Sequence, residues 1–143
     1  MSRTILVPVD GSDPSRGALR YGAGIARESG GTVHVLAVAH PSSNPLAFGV
    51  ETVEEIERAV DDLVDAIAAV EDFSGVRFQS EVRRGQPTFE VILTYAADIG
   101  ADLLVVGRTG TTSISEAVLG STADRLARSA TVPVVIVPET PLE

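Results

Sequence analysis

The chain has 143 residues, 44% of them hydrophobic, and this length suits one domain (residues 1–143) with a substantial core. It has no cysteine and all 11 basic residues are arginine, which excludes disulfides, thiolate nucleophiles, Schiff-base lysines and P-loop ATPases. The net charge of −9 argues against nucleic acid and anionic membranes as partners.

Five short segments have the composition of β-strands. Four are nearly continuous apolar runs, typical of strands buried on both faces of a parallel sheet: residues 3–9, 32–39, 103–106 and 132–137. The fifth, residues 76–83, alternates apolar or small side chains with charged or polar ones, which predicts a half-exposed edge strand. No apolar run approaches the roughly 20 residues of a membrane span, so we expect a soluble, cytoplasmic protein.

Helix signals lie between these strands. Asp13 followed by Pro14 predicts an N-cap and a first helical residue. Residues 52–55 form a capping box before a helix with apolar residues at helical spacing and acidic residues opposite. A third helix follows Pro87, and a fourth follows Ser121, which has an acidic residue three positions on. Strands that alternate with helices predict an α/β fold, most simply an open doubly wound parallel five-stranded sheet with helices on both faces.

The segment after the fourth strand carries the clearest functional signal. The apolar run stops at Gly107, Gly110 follows in a polar loop, and Gly120 and Ser121 open the fourth helix. A glycine-rich loop before a helix N-terminus offers free backbone N–H groups and the positive end of the helix dipole, which suits phosphate. The alternative is that the glycines only turn the chain and that Ser121 only caps the helix.

The spacing Gly107-x2-Gly110-x9-Gly120-Ser121 resembles the nucleotide-binding signature of the ATP-binding branch of the universal stress protein family. Residues 5–12 (ILVPVDGS) resemble that family's first strand and loop, and residues 131–137 (TVPVVIV) resemble its last strand. The resemblance therefore covers essentially the whole chain.

This resemblance implies a Rossmann-like sheet with strand order 3-2-1-4-5. Ligands of such sheets bind outside the carboxyl ends of the strands where the order reverses, here between strands 1 and 4. The family's ligand is ATP, with Mg²⁺ or Mn²⁺ bridging its phosphates. The resemblance also implies a homodimer in which the strand at residues 132–137 pairs antiparallel with its copy; the alternative is that a loop or the C-terminal tail covers this edge. It further implies a role as a nucleotide-responsive switch or sensor in the stress response.

The same resemblance assigns roles to single residues. Asp10 would hydrogen-bond the adenosine part of the nucleotide, although it could instead only start the loop as an Asx-turn residue. Pro8, Val9 and Val38 would form apolar walls for adenine, although they could simply be strand core. The complete set of expected binding residues is Pro8, Val9, Asp10, Ser12, Val38, Val106, Gly107, Arg108, Gly110, Gly120, Ser121 and Thr122.

The sequence leaves open the roles of two further residues, Arg108 and His40. Arg108, between the motif glycines, could neutralise phosphate or point to solvent. His40 follows strand 2 at the same end of the sheet and could touch a base, but a loop histidine without a role is the simpler interpretation. His34 lies within strand 2, and we assign it no function.

Two other functions remain open. The same crevice could serve a phosphohydrolase or phosphotransferase, but no general base or nucleophile is evident, so we expect no enzymatic activity beyond a weak ATPase. The fold could also be an interaction module that binds no nucleotide. A phosphoacceptor receiver domain is excluded, because that chemistry requires a lysine after the last strand and the chain has none.

Overall fold

The computed structural model describes residues 3–39, 52–71, 73, 75–108 and 121–138. In this part of the chain the elements are β1 Thr4–Pro8, α1 Asp13–Ser29, β2 Thr32–Ala39, α2 Val53–Glu71, β3 Arg77–Arg84, α3 Thr88–Ile99, β4 Leu103–Gly107, α4 Ser121–Ser129 and β5 Val134–Val137. The strands form one sheet in the order β3-β2-β1-β4-β5, and every neighbouring pair is parallel. The predicted fold class and strand order are confirmed.

The helices cover both faces of the sheet. Helices α1 and α2 pack on one face, and α3 and α4 pack on the other. Successive side chains of a strand point to opposite faces, so the buried runs of β1, β2 and β4 supply both cores. Fully buried residues between the sheet and α1 and α2 include Ile5, Val7, Leu19, Val33, Val35 and Val60. Those between the sheet and α3 and α4 include Leu6, Leu36, Ile92, Leu104 and Leu126.

The predicted helix starts are confirmed at α2 and wrong at α1. Thr52 and Glu55 form the capping box, with Glu55 N–H donating to Thr52 Oγ1 (3.1 Å) and Thr52 N–H donating to Glu55 Oε1 (3.3 Å). At α1 the N-cap is Ser12, whose Oγ accepts from Ser15 N–H (3.3 Å), not Asp13. Asp13 is already the first helical residue, because the hydroxyl one position earlier reaches the N3 amide.

Four strands have boundaries that differ by one or two residues from the pattern. Strand β4 extends one residue beyond residues 103–106, to Gly107. Strand β1 is one residue shorter at each end than residues 3–9, and β3 is shifted by one residue from residues 76–83. Strand β5 begins at Val134 instead of residue 132. Helix α4 begins at Ser121, so the expectation that Ser121 precedes the helix as its N-cap is wrong by one residue. Asp124 accepts a hydrogen bond from Arg128 Nε (3.0 Å), and the side chain of Ser121 lies outside the described residues.

His34 is half-buried on the face covered by α3. Its ring lies edge-on to the Tyr95 ring, with 6.4 Å between the centroids. Its Nδ1 is buried and has no hydrogen-bond partner among the described residues. Burial lowers the pKa of His34 below its ordinary value of 6.5, because the charged imidazolium is poorly solvated there.

We expect acid to destabilise the fold through His34. Its pKa in the folded state is below the unfolded value of 6.5, so the unfolded state binds more protons as the pH falls below 6.5. The stability that neutral His34 contributes is therefore fully present above pH 6.5 and is lost as the pH falls below 6.5. Urea midpoints measured between about pH 7.5 and 5 should fall less for His34→Gln than for the natural protein. Identical pH dependence in the two proteins would contradict this assignment.

Candidate functional site

The loop between β1 and α1 is organised by Asp10. Its Oδ1 accepts from the Ser12 N–H (3.0 Å) and from the Ser12 hydroxyl (2.6 Å). Its Oδ2 accepts no hydrogen bond from the described residues. The Asx-turn interpretation is therefore true of one carboxylate oxygen, while the other stays available to a ligand that donates hydrogen bonds.

Two residues that the sequence did not mark as site residues hold this loop in place. Gly11 has φ of 85°, a conformation that favours glycine. Ser15 is only 5% exposed; its Oγ accepts from the Asp10 N–H (3.3 Å) and donates to the Ser12 carbonyl (3.0 Å). A glycine after an aspartate was a usable turn signal, but nothing in the sequence marked Ser15.

Three of the four backbone amides in the same loop, residues 9–12, are already engaged. The Val9 N–H donates to the Leu36 carbonyl (2.8 Å), the Asp10 N–H donates to Ser15, and the Ser12 N–H donates to Asp10. An anion would find no free amide at these three positions. This loop therefore offers a carboxylate oxygen, which suits sugar hydroxyls better than phosphate.

The alternation of side chains divides the expected wall residues between the two faces of the sheet. Val38 and Val106 are buried in the core beneath α3 and α4. Pro8 lies on the same face, two positions after Leu6 of that core. The side chain of Val9 is buried on the other face, against α1 and α2. The structure thus places Pro8, Val38 and Val106 on one face of the sheet and Val9 with the core on the other face.

At the end of β4, Gly107 faces α1. A Cβ added there would lie 2.6 Å from the carbonyl carbon and oxygen of Pro14. Glycine is required at this position for packing, whatever else it does. The next residue, Arg108, is half-buried, and its N–H donates to the Val137 carbonyl (3.0 Å), so its amide is also engaged.

The remaining expected residues are placed only in part. Thr122 is half-buried in the first turn of α4, on the same face as Val38 and Val106. Gly110, Gly120 and His40 lie outside the described residues, as does the side chain of Ser121.

The described residues contain a further cavity that lies apart from the expected site. This cavity of about 220 Å³ lies between α2 and the edge strand β3, and it is lined by none of the expected site residues. The described residues contain no group of three or more histidine, aspartate or glutamate side chains that could hold a metal ion. None of the described helices is both long and apolar enough to span a bilayer.

Comparison with known proteins identifies the family. The profile of the universal stress protein family matches residues 1–138. Universal stress protein MJ0531 of Methanocaldococcus jannaschii is 31% identical over 140 residues, covering 94% of this chain and 81% of that protein. Universal stress protein YxiE of Bacillus subtilis is 30% identical over 148 residues, covering 96% of this chain and 99% of that protein. The solved structure of a universal stress protein in complex with cAMP is 26% identical, with a TM-score of 0.72, and covers 96% of this chain and 98% of the other. This chain belongs to the universal stress protein family.

Proposed function

We propose that this protein binds ATP at the carboxyl ends of β1 and β4 and acts in the cytoplasm as a nucleotide-responsive switch or sensor in the stress response. The observation that carries the proposal is the Asp10 carboxylate, which is fixed through one oxygen and free at the other among the described residues. It lies where the strand order reverses between β1 and β4, the place at which open α/β sheets bind ligands. The relative of similar fold that was solved with cAMP supports a nucleotide as the ligand.

The parts of the nucleotide fit different groups of the crevice. The free oxygen of Asp10 would accept hydrogen bonds from ribose hydroxyls. The apolar side chains of Pro8, Val38 and Val106 would contact adenine on the face covered by α3 and α4. The phosphates would then extend toward the start of α4, where Thr122 and the motif residues Gly120 and Ser121 offer hydroxyls and a helix N-terminus.

A metal ion in this proposal arrives with the nucleotide. Mg²⁺ prefers oxygen ligands and keeps several waters, so phosphate oxygens can supply most of its coordination. Mg²⁺ or Mn²⁺ bridging the phosphates would screen their charge, which matters in a chain with a net charge of −9.

The oligomer we propose is a two-fold dimer through the outer edge of β5. Strand β5 is the last strand of the sheet, and each of its four residues is apolar and half-buried. No strand of the described residues pairs with this edge. An unpaired apolar edge is a template for pairing with another strand, and antiparallel pairing of two identical edges closes into a dimer.

Asp10→Asn tests the nucleotide site. Asparagine keeps an oxygen that can accept from Ser12, but it replaces the free oxygen with an NH₂ group that cannot accept from ribose. We expect ATP affinity, measured by calorimetry with Mg²⁺ present, to fall about tenfold or more, with little change in the urea midpoint. Asp13→Asn is the matched control, because it removes the same charge from an exposed neighbour.

Two results would count against the proposed function. One is that the natural protein binds neither ATP, AMP nor cAMP with Mg²⁺ present. The other is that Asp10→Asn binds ATP as tightly as Asp13→Asn does.

A further inference from the structure

Among the described residues at the end of β4, the guanidinium of Arg108 has incomplete hydrogen bonding. Its Nε is buried and has no acceptor among the described residues. The backbone amide of Arg108 continues the pairing of β4 with β5 through its bond to Val137 (3.0 Å). By the alternation of that strand, the Arg108 side chain lies on the same face as Val106, and Gly107 between them faces α1.

Burying a hydrogen-bond donor without an acceptor raises the free energy of the folded state. In folded proteins most buried polar groups are paired, so an unpaired one calls for an explanation. Nε–H belongs to a planar cation with five donors and no acceptor, and the partner that suits it best is an oxyanion. The described carboxylate in this crevice, Asp10, is bound to Ser12 and serves the loop after β1.

We propose that the Nε–H of Arg108 donates to a phosphate oxygen of the bound nucleotide, so that the site selects nucleotides over nucleosides. This inference rests on the proposed function and adds a residue that donates a hydrogen bond to the phosphate. The sequence left open whether Arg108 neutralises phosphate or points to solvent. The face of the sheet on which its side chain lies favours the first of these roles. If the alternation of β4 continues to Arg108, this residue shares its face with Pro8, Val38 and Val106, the side chains that would contact the base. The phosphate of the ligand, and not solvent, would then compensate the positive charge of Arg108.

Lysine is the informative replacement. It keeps the positive charge, but it has a methylene group where arginine has Nε, so the buried donor disappears. In the protein without ligand this change should be neutral or stabilising, because it removes an unpaired buried N–H. In the complex it should weaken binding, because the donor to phosphate is lost. A residue with a purely structural role would not produce these opposite effects.

The experiment measures the affinities of the natural protein and of Arg108→Lys for Mg²⁺-ATP, AMP, adenosine and tripolyphosphate by calorimetry, with urea midpoints of both ligand-free proteins. We expect Arg108→Lys to bind ATP and AMP about tenfold or more weakly, to bind adenosine unchanged, and to have an equal or higher midpoint. Arg58→Lys, at an exposed position on α2, is the matched control and should change none of these values.

The possible failures can be told apart. A natural protein that binds no nucleotide would overturn the proposed function and this inference together. If the natural protein binds ATP and Arg108→Lys binds it equally well, only this inference is wrong. An equal loss of affinity for adenosine would show that Arg108 shapes the pocket without contacting phosphate. Binding of tripolyphosphate as tight as that of ATP would assign the residue to free polyphosphate instead of a nucleotide.

Discussion

We expect Gly107→Val to destabilise the folded protein by about 3 kcal/mol, independently of any ligand. A Cβ at this position would lie 2.6 Å from two backbone atoms of Pro14 and 2.8 Å from its Cβ. Pro14 is buried in the first turn of α1, directly after the hydrogen-bonded loop of Asp10 and Ser12. The clash therefore cannot be relieved by rotating a flexible side chain. Urea denaturation gives the free energy of unfolding.

Gly24→Ala is the matched control for this substitution. Gly24 lies inside α1, and a Cβ added there meets no atom within 4 Å. Alanine should therefore stabilise the helix by about 0.5–1 kcal/mol. A Gly107→Val protein with the unfolding midpoint of the natural chain would show that β4 and α1 do not pack as closely as described.

This substitution also bears on how the glycine motif is interpreted. The sequence predicts Gly107 as a binding residue of a glycine-rich loop that suits phosphate. The structure shows that the side of Gly107 where a Cβ would stand is filled by α1. Loss of nucleotide binding in a Gly107 variant would thus not by itself locate a ligand, and binding experiments on this residue need a stability measurement beside them.

The fold was predictable because apolar residues recur in the sequence with a spacing that depends on which positions of a strand or helix are buried. Apolar runs such as residues 32–39 and 103–106 mark strands covered on both faces, and β2 and β4 are such strands. Periodicity reports that a side chain is buried but not against which neighbour. It could not show that Val9 belongs to the core beneath α1, or that Gly107 meets Pro14, because both depend on contacts between distant segments. The strand order came from the family resemblance and not from the pattern.

The turn that Asp10 forms was predictable from the sequence, and the contacts around it were less so. The sequence offered two roles for this aspartate as alternatives, and the geometry makes them compatible, with one oxygen turning the loop and the other free among the described residues. The contribution of Ser15 was not predictable. A serine three residues after an N-cap serine lacks the long acidic side chain of a capping box, so its buried hydroxyl left no recognisable signal.

The two edges of the sheet differ in a way that bears on assembly. Edge strand β3 carries charged residues along its length, including Arg77, Glu81 and Arg84. Arg83 of the same strand pairs with Asp98 (3.1 Å) and with Glu81 (3.3 Å), and the hydrogen bond to Asp98 raises the pKa of Arg83 further, so its charge is permanent. Charges of this kind oppose pairing with another strand. The edge strand β5 consists of three valines and one isoleucine and has no such protection.

Val135→Arg should convert the proposed dimer to monomers, with a loss of dimer affinity of about a hundredfold or more, because each interface would then bury an unpaired charge next to its copy. Light scattering over a range of concentrations gives the molar mass directly. Val82→Arg is the matched control: Val82 and Val135 are both half-buried valines packed against the core beneath α1 and α2, but Val82 lies on β3 at the opposite edge. Both variants should lose some stability through that core, and only Val135→Arg should halve the molar mass. A dimer that persists in Val135→Arg, or that is lost equally in Val82→Arg, would place the interface away from β5.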